Sequence, residues 1–485
     1  MKFNRFSKIS ITILITILLT SCIQKTPRQN IQSQLAIPDQ WQSQAQPDLI
    51  QNQALAVDWL NDFADPALKQ LVNEALTHNY DLSAAAINLE IAHTAVLSSR
   101  AGLFPTVNLS SNRSALSGDI QQRIGDDIIS APLDQVDYSG SLNVSWEVDI
   151  WGRQYDEFKA SHQDLKTNEQ DYKAARLSLT GSVVQSWYGL IATRLQRELA
   201  EKNVASSKKI HALTQKRYQH KLVTKLDLAQ ARSRLYQAQN ELYQRQQTEH
   251  ESTRALEILL GRYPSAEIKT ASNLPKLSSL YSDDQQNLSL GSPTDVLSQR
   301  PDILSAEAAM TAAGLRAREA RKTLLPTLNI SEFFSLSNEA SISSLLSLEN
   351  VLQTLSISLI QPIFQGGALR ASIKAEKKRA EVAVANYAQV VLEAFVEIEN
   401  AIDAEHYLEQ QENIQRLAVD EAIESQSLIG QQYSKGITDI FNVLDVEQQR
   451  FNSEEQLISA QLARLDNRVR LYLSLGGMYA SNEER

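Results

Sequence analysis

The chain has 485 residues, with 16 glycines, 12 prolines, one cysteine and a net charge of −10. Glycine and proline together reach about half their usual share, which excludes collagen-like and Pro-rich classes and favours long uninterrupted elements over many tight turns. A single cysteine excludes an intramolecular disulfide and a multi-cysteine zinc site, and an acidic chain without a basic block offers nothing to nucleic acid.

The first segment is a processing signal. Lys2, Arg5 and Lys8 precede an apolar run from Ile9 to Leu19, followed by Leu19-Thr20-Ser21-Cys22. This is the layout of a secretory signal, and the apolar run is short of the ~20 residues that a spanning helix needs. The cysteine stands at the expected cleavage point. An ordinary signal peptide with an incidental cysteine is the plain alternative to a lipid attachment site. Removing residues 1–21 takes away three basic groups and no acidic one, so 47 basic side chains become 44 against 57 acidic.

Beyond the signal, one unit is written twice. Ser99-Arg-Ala-Gly-Leu-Phe-Pro-Thr-Val-Asn-Leu-Ser110 matches Ala320-Arg-Lys-Thr-Leu-Leu-Pro-Thr-Leu-Asn-Ile-Ser331. The stretch Leu142–Gly152 resembles Leu355–Gly366, Arg217-Tyr218 with Leu226–Leu228 resembles Gln432-Tyr433 with Leu444–Val446, and Leu259–Gly261 resembles Ser474–Gly476. Four matches in the same order imply a tandem duplication of long period.

Each half reads as helix, β-hairpin, long helix, helix. Asp81–Leu103 has helical spacing and ends before Pro105. Strands are predicted at Thr106–Ala115 and Tyr138–Trp151. In the second, Tyr138, Leu142, Val144, Trp146, Val148 and Ile150 alternate with Ser139, Ser141, Asn143, Ser145, Glu147 and Asp149, the period of a strand with one apolar and one polar face. Helices follow at Ala160–Tyr218 and Thr224–Leu260. The second half repeats the order: helix Asp302–Leu325, strands near Leu328–Phe334 and Leu355–Phe364, and helices Ala368–Tyr433 and Asp439–Leu475. The fold class is mainly α with a small β part. The boundaries are 1–21 for the signal, 22–75 for an N-terminal segment, 76–285 and 286–477 for the two repeats, and 478–485 for a tail.

Four strands cannot close a barrel, since small barrels use ~8. An open edge cannot sit in lipid with its backbone groups unpaired. Either the sheet packs on helices in water, or several chains share one barrel whose polar face lines a wet lumen. Catalytic constellations are missing. His78, His93, His162, His211, His220, His250 and His406 form no HExxH, no phosphate-binding glycine loop occurs, and Glu147 with Asp149 reads as lumen lining before paired acid–base work. The protein is expected not to be an enzyme and to need no cofactor beyond a lipid on Cys22.

Ser145-Trp-Glu-Val-Asp-Ile-Trp-Gly-Arg153, Leu226-Asp-Leu-Ala-Gln-Ala231, Gln299-Arg-Pro-Asp-Ile-Leu-Ser-Ala-Glu307 and Gln361-Pro-Ile-Phe-Gln-Gly-Gly367 resemble, in order and spacing, the outer-membrane efflux channel family that includes TolC. The likeness is strongest to its lipoprotein branch, the NodT and OprM type, and spans about Asp58 to Gly477. The sequence around Cys22 likewise resembles a bacterial lipobox, which implies cleavage before Cys22 and its acylation. Ile23, rather than Asp, suggests sorting to the outer membrane. The family resemblance implies a homotrimer with a shared twelve-strand β-barrel, a long α-helical barrel through the periplasm and an equatorial domain. That domain would be built from the N-terminal segment, the Arg262–Gln299 connection and the C-terminus. It further implies a periplasmic adaptor and an inner-membrane pump as partners, and a passive export duct for drugs or other small toxic compounds. A protein-secretion duct, or a poreless scaffold of coiled helices, are the competing readings.

In that family the helix-to-helix breaks are the periplasmic tips where the tunnel closes. Phe441 and Asp445, four apart, share a helix face. In a trimer they would stack an apolar ring on a carboxylate ring, and a solvated helix surface is the alternative for Asp445. The resemblance implies a bond from Tyr433 to Asp227 that holds the closed state, so Tyr433→Phe is expected to raise conductance. Lys221 stands where such tips often carry Gly, which suggests a different bend at the first break. Thr438 and Asn442 depart from the basic residue and second Asp of TolC-like tips.

Overall fold

The computed structural model describes residue 41 and residues 59–125, 127–269, 271, 273–279, 293–338 and 351–477. Cys22, the signal segment and the 478–485 tail lie outside the described residues.

After a 3-10 turn at Trp59–Phe63 the elements are α1 (Pro66–His78), α2 (Tyr80–Ala101), β1 (Thr106–Ile124), β2 (Asp127–Val148), α3 (Arg153–Gln219) and α4 (Lys225–Leu259). Then follow α5 (Pro293–Gln299), α6 (Pro301–Lys322), β3 (Thr327–Asn338), β4 (Leu352–Ile360), α7 (Ala368–Ser434) and α8 (Ile440–Ser474). The duplication is visible in the lengths. Helices α2 and α6 both have 22 residues, α3 and α7 both have 67, and α4 and α8 both have 35. At ~1.5 Å per residue the two longest reach about 100 Å each.

Local chemistry sets the boundaries. Asp65 caps α1 by accepting from the Ala67 and Leu68 amides, with Pro66 at the first helical position where its missing N–H costs nothing. Asn79 accepts from the Leu82 amide at 2.9 Å and donates to the Leu259 carbonyl at 3.0 Å, so one side chain caps α2 and ties it to the end of α4. The third helix begins at Arg153, seven residues before the predicted Ala160, and β2 stops at Val148 short of Trp151. The reason is the turn between them. Gly152 adopts φ 71° and the Asp149 carboxylate accepts from the Tyr155 amide at 2.8 Å, which closes the strand and starts the helix. The first hairpin is also longer than predicted, running on to a turn at Gly125 with φ 67°.

The sheet is four-stranded and antiparallel in the order β1-β2-β3-β4. Paired residues point to the same side of a sheet, so register assigns the faces. One face carries Val107 and Leu109, then Leu142, Val144, Trp146 and Val148, then Leu328, Ile330 and Phe334, then Leu355, Ile357 and Leu359. The other carries Thr106, Asn108 and Ser110, then Ser141, Asn143, Ser145 and Glu147, then Asn329, Ser331 and Ser335, then Thr354, Ser356 and Ser358. Hydroxyl pairs cross the polar face, Thr106 with Ser145 at 2.8 Å and Ser110 with Ser141 at 2.6 Å. Phe333, Leu352 and Ile360 depart from the pattern on the polar face. Glu332 departs on the apolar one, where it accepts from Gln353. Among the described residues nothing covers the outer strands of the apolar face: Leu109 is 82% exposed and Ile357 66%.

The helices pack as two long pairs, α3 with α4 and α7 with α8, and α8 against α3 joins the halves. Midway along α3 the N-terminal turn and α1 gather with the ends of α4 and α8 into one core containing Trp59, Phe63, Leu68, Trp187, Tyr188, Leu256, Val469 and Tyr472. Leu274 and Leu277 of the following connection pack against it. A second core joins α5 and α6 to α7 through Val296, Leu297, Ile303, Tyr387 and Ile398. Between them lies a buried ionic cluster. Fully buried Arg468 donates to Glu405 at 2.7 Å and to the Ser278 carbonyl at 3.1 Å, and Arg464 donates to Glu405 and Glu412, each at 3.1 Å. Pairing offsets the desolvation of these charges, although the Arg468 Nε stays buried without a hydrogen-bond partner among the described residues, and removing one partner is costly.

Candidate functional site: the two helix-turn-helix tips

The long helices end far from the sheet in two similar turns. At the first, the Lys221 amide bonds to the Tyr218 carbonyl at 2.9 Å and the Leu222 amide to Arg217 at 2.9 Å; at the second, Gly436 bonds to Tyr433 at 3.0 Å and Ile437 to Gln432 at 3.0 Å. Both are Schellman closures, whose turning residue is left-handed. Lys221 sits at φ 61° and Gly436 at φ 76°. The first break therefore bends as the second does, against the expectation of a different bend, and Lys221 carries the strain that glycine avoids.

Each turn leads into a capped helix. Thr224 and Asp227 form a capping box, Thr224 accepting from the Asp227 amide at 3.2 Å and Asp227 accepting from the Thr224 amide at 2.6 Å and hydroxyl at 2.9 Å. Asp439 caps α8 by accepting from the Asn442 amide at 3.0 Å. Asn442 also donates to Thr438 at 3.1 Å, an uncharged pair at the two positions that departed from TolC-like tips.

Tyr433 is buried and packs with Ile440 and Val443, with Ile210 and Ile429 alongside. Its hydroxyl lies 3.4 Å from that of Thr214. Above its ring is the Arg217 guanidinium, 4.3 Å from the centroid, which also donates to the Tyr433 carbonyl at 2.8 Å and the Ser434 carbonyl at 3.3 Å. Arg217 of the first repeat thus covers the ring and caps the last carbonyls of α7 in the second repeat. Asp227 and Tyr433 are not bonded to each other within the protomer, because Asp227 is committed to its own cap and the Tyr433 hydroxyl faces Thr214. Arg217 was visible in the sequence only as part of a repeat match. Its reach to the other repeat depends on α3 and α7 ending side by side.

Phe441 and Asp445 lie on one exposed side of α8, beside the face that buries Ile440, Val443 and Glu447. Phe441 is 51% exposed, which leaves an aromatic ring and a carboxylate uncovered in the protomer. No group of His, Cys, Asp and Glu suited to hold a metal occurs among the described residues.

A family model described as outer membrane efflux protein matches residues 71–262 and 292–477. The chain is 29% identical over 481 residues to the pyoverdine export outer membrane protein OpmQ of Pseudomonas aeruginosa PAO1, covering 98% of each chain. It is 27% identical over 421 residues to the cation efflux system protein CusC of Escherichia coli O6:H1, covering 86% of this chain and 88% of that one. Among solved structures, the outer-membrane channel OprN matches with a TM-score of 0.78 at 24% identity, over 91% of this chain and 97% of that one, a likeness of fold.

Proposed function

The chain belongs to the outer membrane efflux protein family, and from that membership we propose that three copies form one passive export duct for small toxic compounds, fed through a periplasmic adaptor by an inner-membrane pump. The sheet carries this reading. Its strands offer a largely apolar face, interrupted at Glu332, and a largely Ser/Thr/Asn face, and among the described residues neither edge strand, β1 nor β4, pairs with a further strand. Lipid tolerates no open edge, so the edges must meet those of other copies; three copies of four strands give twelve. The paired α-helices continue the wall into the periplasm. The cargo class follows the relatives, one named for pyoverdine export and one for cation efflux. Lipid on Cys22 anchors the start of the chain in the same membrane.

The closed end is the tips. Three exposed Phe441 rings over three Asp445 carboxylates form an apolar constriction above an acidic ring, which resists water and favours cations when wetted. The latch within each protomer is Arg217 on Tyr433, in place of a Tyr433–Asp227 bond. Purified protein in a planar bilayer is expected to conduct rarely, and Asp445→Ala to raise the open frequency. A complete absence of conducting events from both proteins would remove the duct reading.

A further inference from the structure

Among the described residues, the β1–β2 hairpin runs on beyond the pairing of β2 with β3. Described β3 pairs with β2 only as far as Tyr138↔Asn338, whereas β1 and β2 stay paired from Ser114↔Asp137 to Ile124↔Asp127. This upper ribbon has eleven pairs and spans ~35 Å at ~3.3 Å per residue. Its two faces exchange character. Below, the side of Val107 and Leu109 is apolar; it ends in a girdle of Arg113 over the Tyr138 ring, 5.8 Å from the centroid. Ala115 and Val136 continue that side one pair further; beyond them it carries Ser117, Asp134, Asp119 and Gln121, while the formerly polar side, past Ser114 and Asp137, carries Leu116 opposite Gln135, then Gly118, Leu133 and Ile120. The pairing has no bulge across the switch, so the exchange belongs to the sequence. Leu116 is 59% and Ile120 50% exposed.

We infer that this apolar strip is a contact between copies: the three ribbons lean together over the barrel and narrow its outer mouth. The inference rests on the trimeric reading above. Twelve strands ~4.8 Å apart and tilted ~40° enclose a radius of about 12 Å. A ~35 Å ribbon reaches the axis by leaning roughly 20°. A two-stranded ribbon whose apolar strip finds no cover is marginal in water, so the strip calls for a partner surface. The split between faces selects the partner. The Asp119–Asp134 side suits water, and the Leu116–Ile120 side is continuous with the lumen wall, across which the matching strips of the other two copies lie opposite. An apolar narrowing there resists water as the tip does, so the duct carries a restriction at each end.

The test is disulfide trapping in the full-length trimer, where Cys22 is the only native cysteine. Ile120→Cys is expected to give covalent dimers of protomers under mild oxidation, and Asp119→Cys on the opposite side to give none. A trimer verified by light scattering that yields no Ile120→Cys dimers overturns the inference while leaving the trimeric duct intact. Equal trapping at Asp119→Cys also overturns it, since the ribbons then meet without regard to face. If the strip is instead covered by residues 339–350 of the same chain, Ile120→Cys is protected from thiol reagents yet forms no dimer, and the inference falls. A Leu116→Ser, Ile120→Ser, Leu133→Ser variant supplies the functional arm: conductance of open channels rises about twofold or more if the ribbons constrict the mouth and stays unchanged if they do not.

Discussion

Arg217 gathers three contacts into one side chain. It stacks on Tyr433, satisfies two terminal carbonyls of α7 and crosses from one repeat to the other. Arg217→Ala removes a cation–π contact and a charge-assisted cap, together worth roughly 2 kcal/mol, and is expected to raise channel open probability. Tyr433→Phe keeps the ring and the stack and loses only a 3.4 Å hydroxyl contact, so it is expected to change closure little. Conductance of the two variants side by side checks this order, and a larger effect from Tyr433→Phe would return the latch to the hydroxyl. A second residue reports on pH. Burial raises the Asp466 carboxyl to about 6, opposed by Arg470 one turn away. A carboxyl raised in the folded state penalises folding once ionised, so its cost is absent below the unfolded value near 4 and complete above 6. Asp466→Asn is expected to raise the thermal midpoint at pH 7, by the equivalent of roughly 1–2 kcal/mol, and to lose most of that gain at pH 4.

At the level of elements, the sheet makes the sharpest distinction. Val144 and Ser145 are adjacent on β2, but Val144 pairs with Val107 and Glu332 on the apolar face and Ser145 with Thr106 and Ser331 on the polar one. Ile330→Arg, between Trp146 and Ile357 on the same apolar face, places a charge toward hydrocarbon at a cost of ~2–4 kcal/mol, whereas Ser145→Arg faces water. The first variant is expected to reduce the fraction of trimer recovered from the outer membrane, the second to leave recovery unchanged and alter ion selectivity. Equal recovery of both would mean that neither face meets lipid. The helices show the same economy. Their ends are set by Asp65, Asn79, Asp439 and the Thr224–Asp227 box, and their faces by the three buried clusters.

The whole molecule is an incomplete object. Among the described residues, four strands with unpaired edges, an exposed apolar sheet face and a tip with an exposed Phe441 are surfaces that call for further copies if the sheet meets lipid. Purified protein in mild detergent is therefore expected to be trimeric by light scattering, with no stable folded monomer at lower concentration. A monodisperse monomer would remove the shared barrel and every ring drawn from it. The buried Arg464, Arg468 and Glu405 cluster holds the C-terminal end of α8 to α7 and, through Asp62, to the N-terminal turn, which ties the fold of the middle region together.

Most of the architecture could be read from the chain alone. Period-2 alternation at Tyr138–Val148 dictates a two-faced strand, scarce Gly and Pro dictate long helices, and repeated motifs dictate two copies of one unit; each signal is local, acting within a few residues of its cause. Helix starts were misplaced where a single turn decided them, as at Gly152, because a left-handed residue and one Asp149 bond leave no periodic trace. What tertiary structure alone decided were contacts between segments far apart in sequence. Arg217 and Tyr433 meet because two 67-residue helices end side by side, Lys221 adopts a glycine's conformation because the turn demands it, and the exchange of faces above Arg113 emerges only when β1 is laid in register on β2. Those depend on register and on helix length summed over many residues, and such sums exist only once the chain has folded.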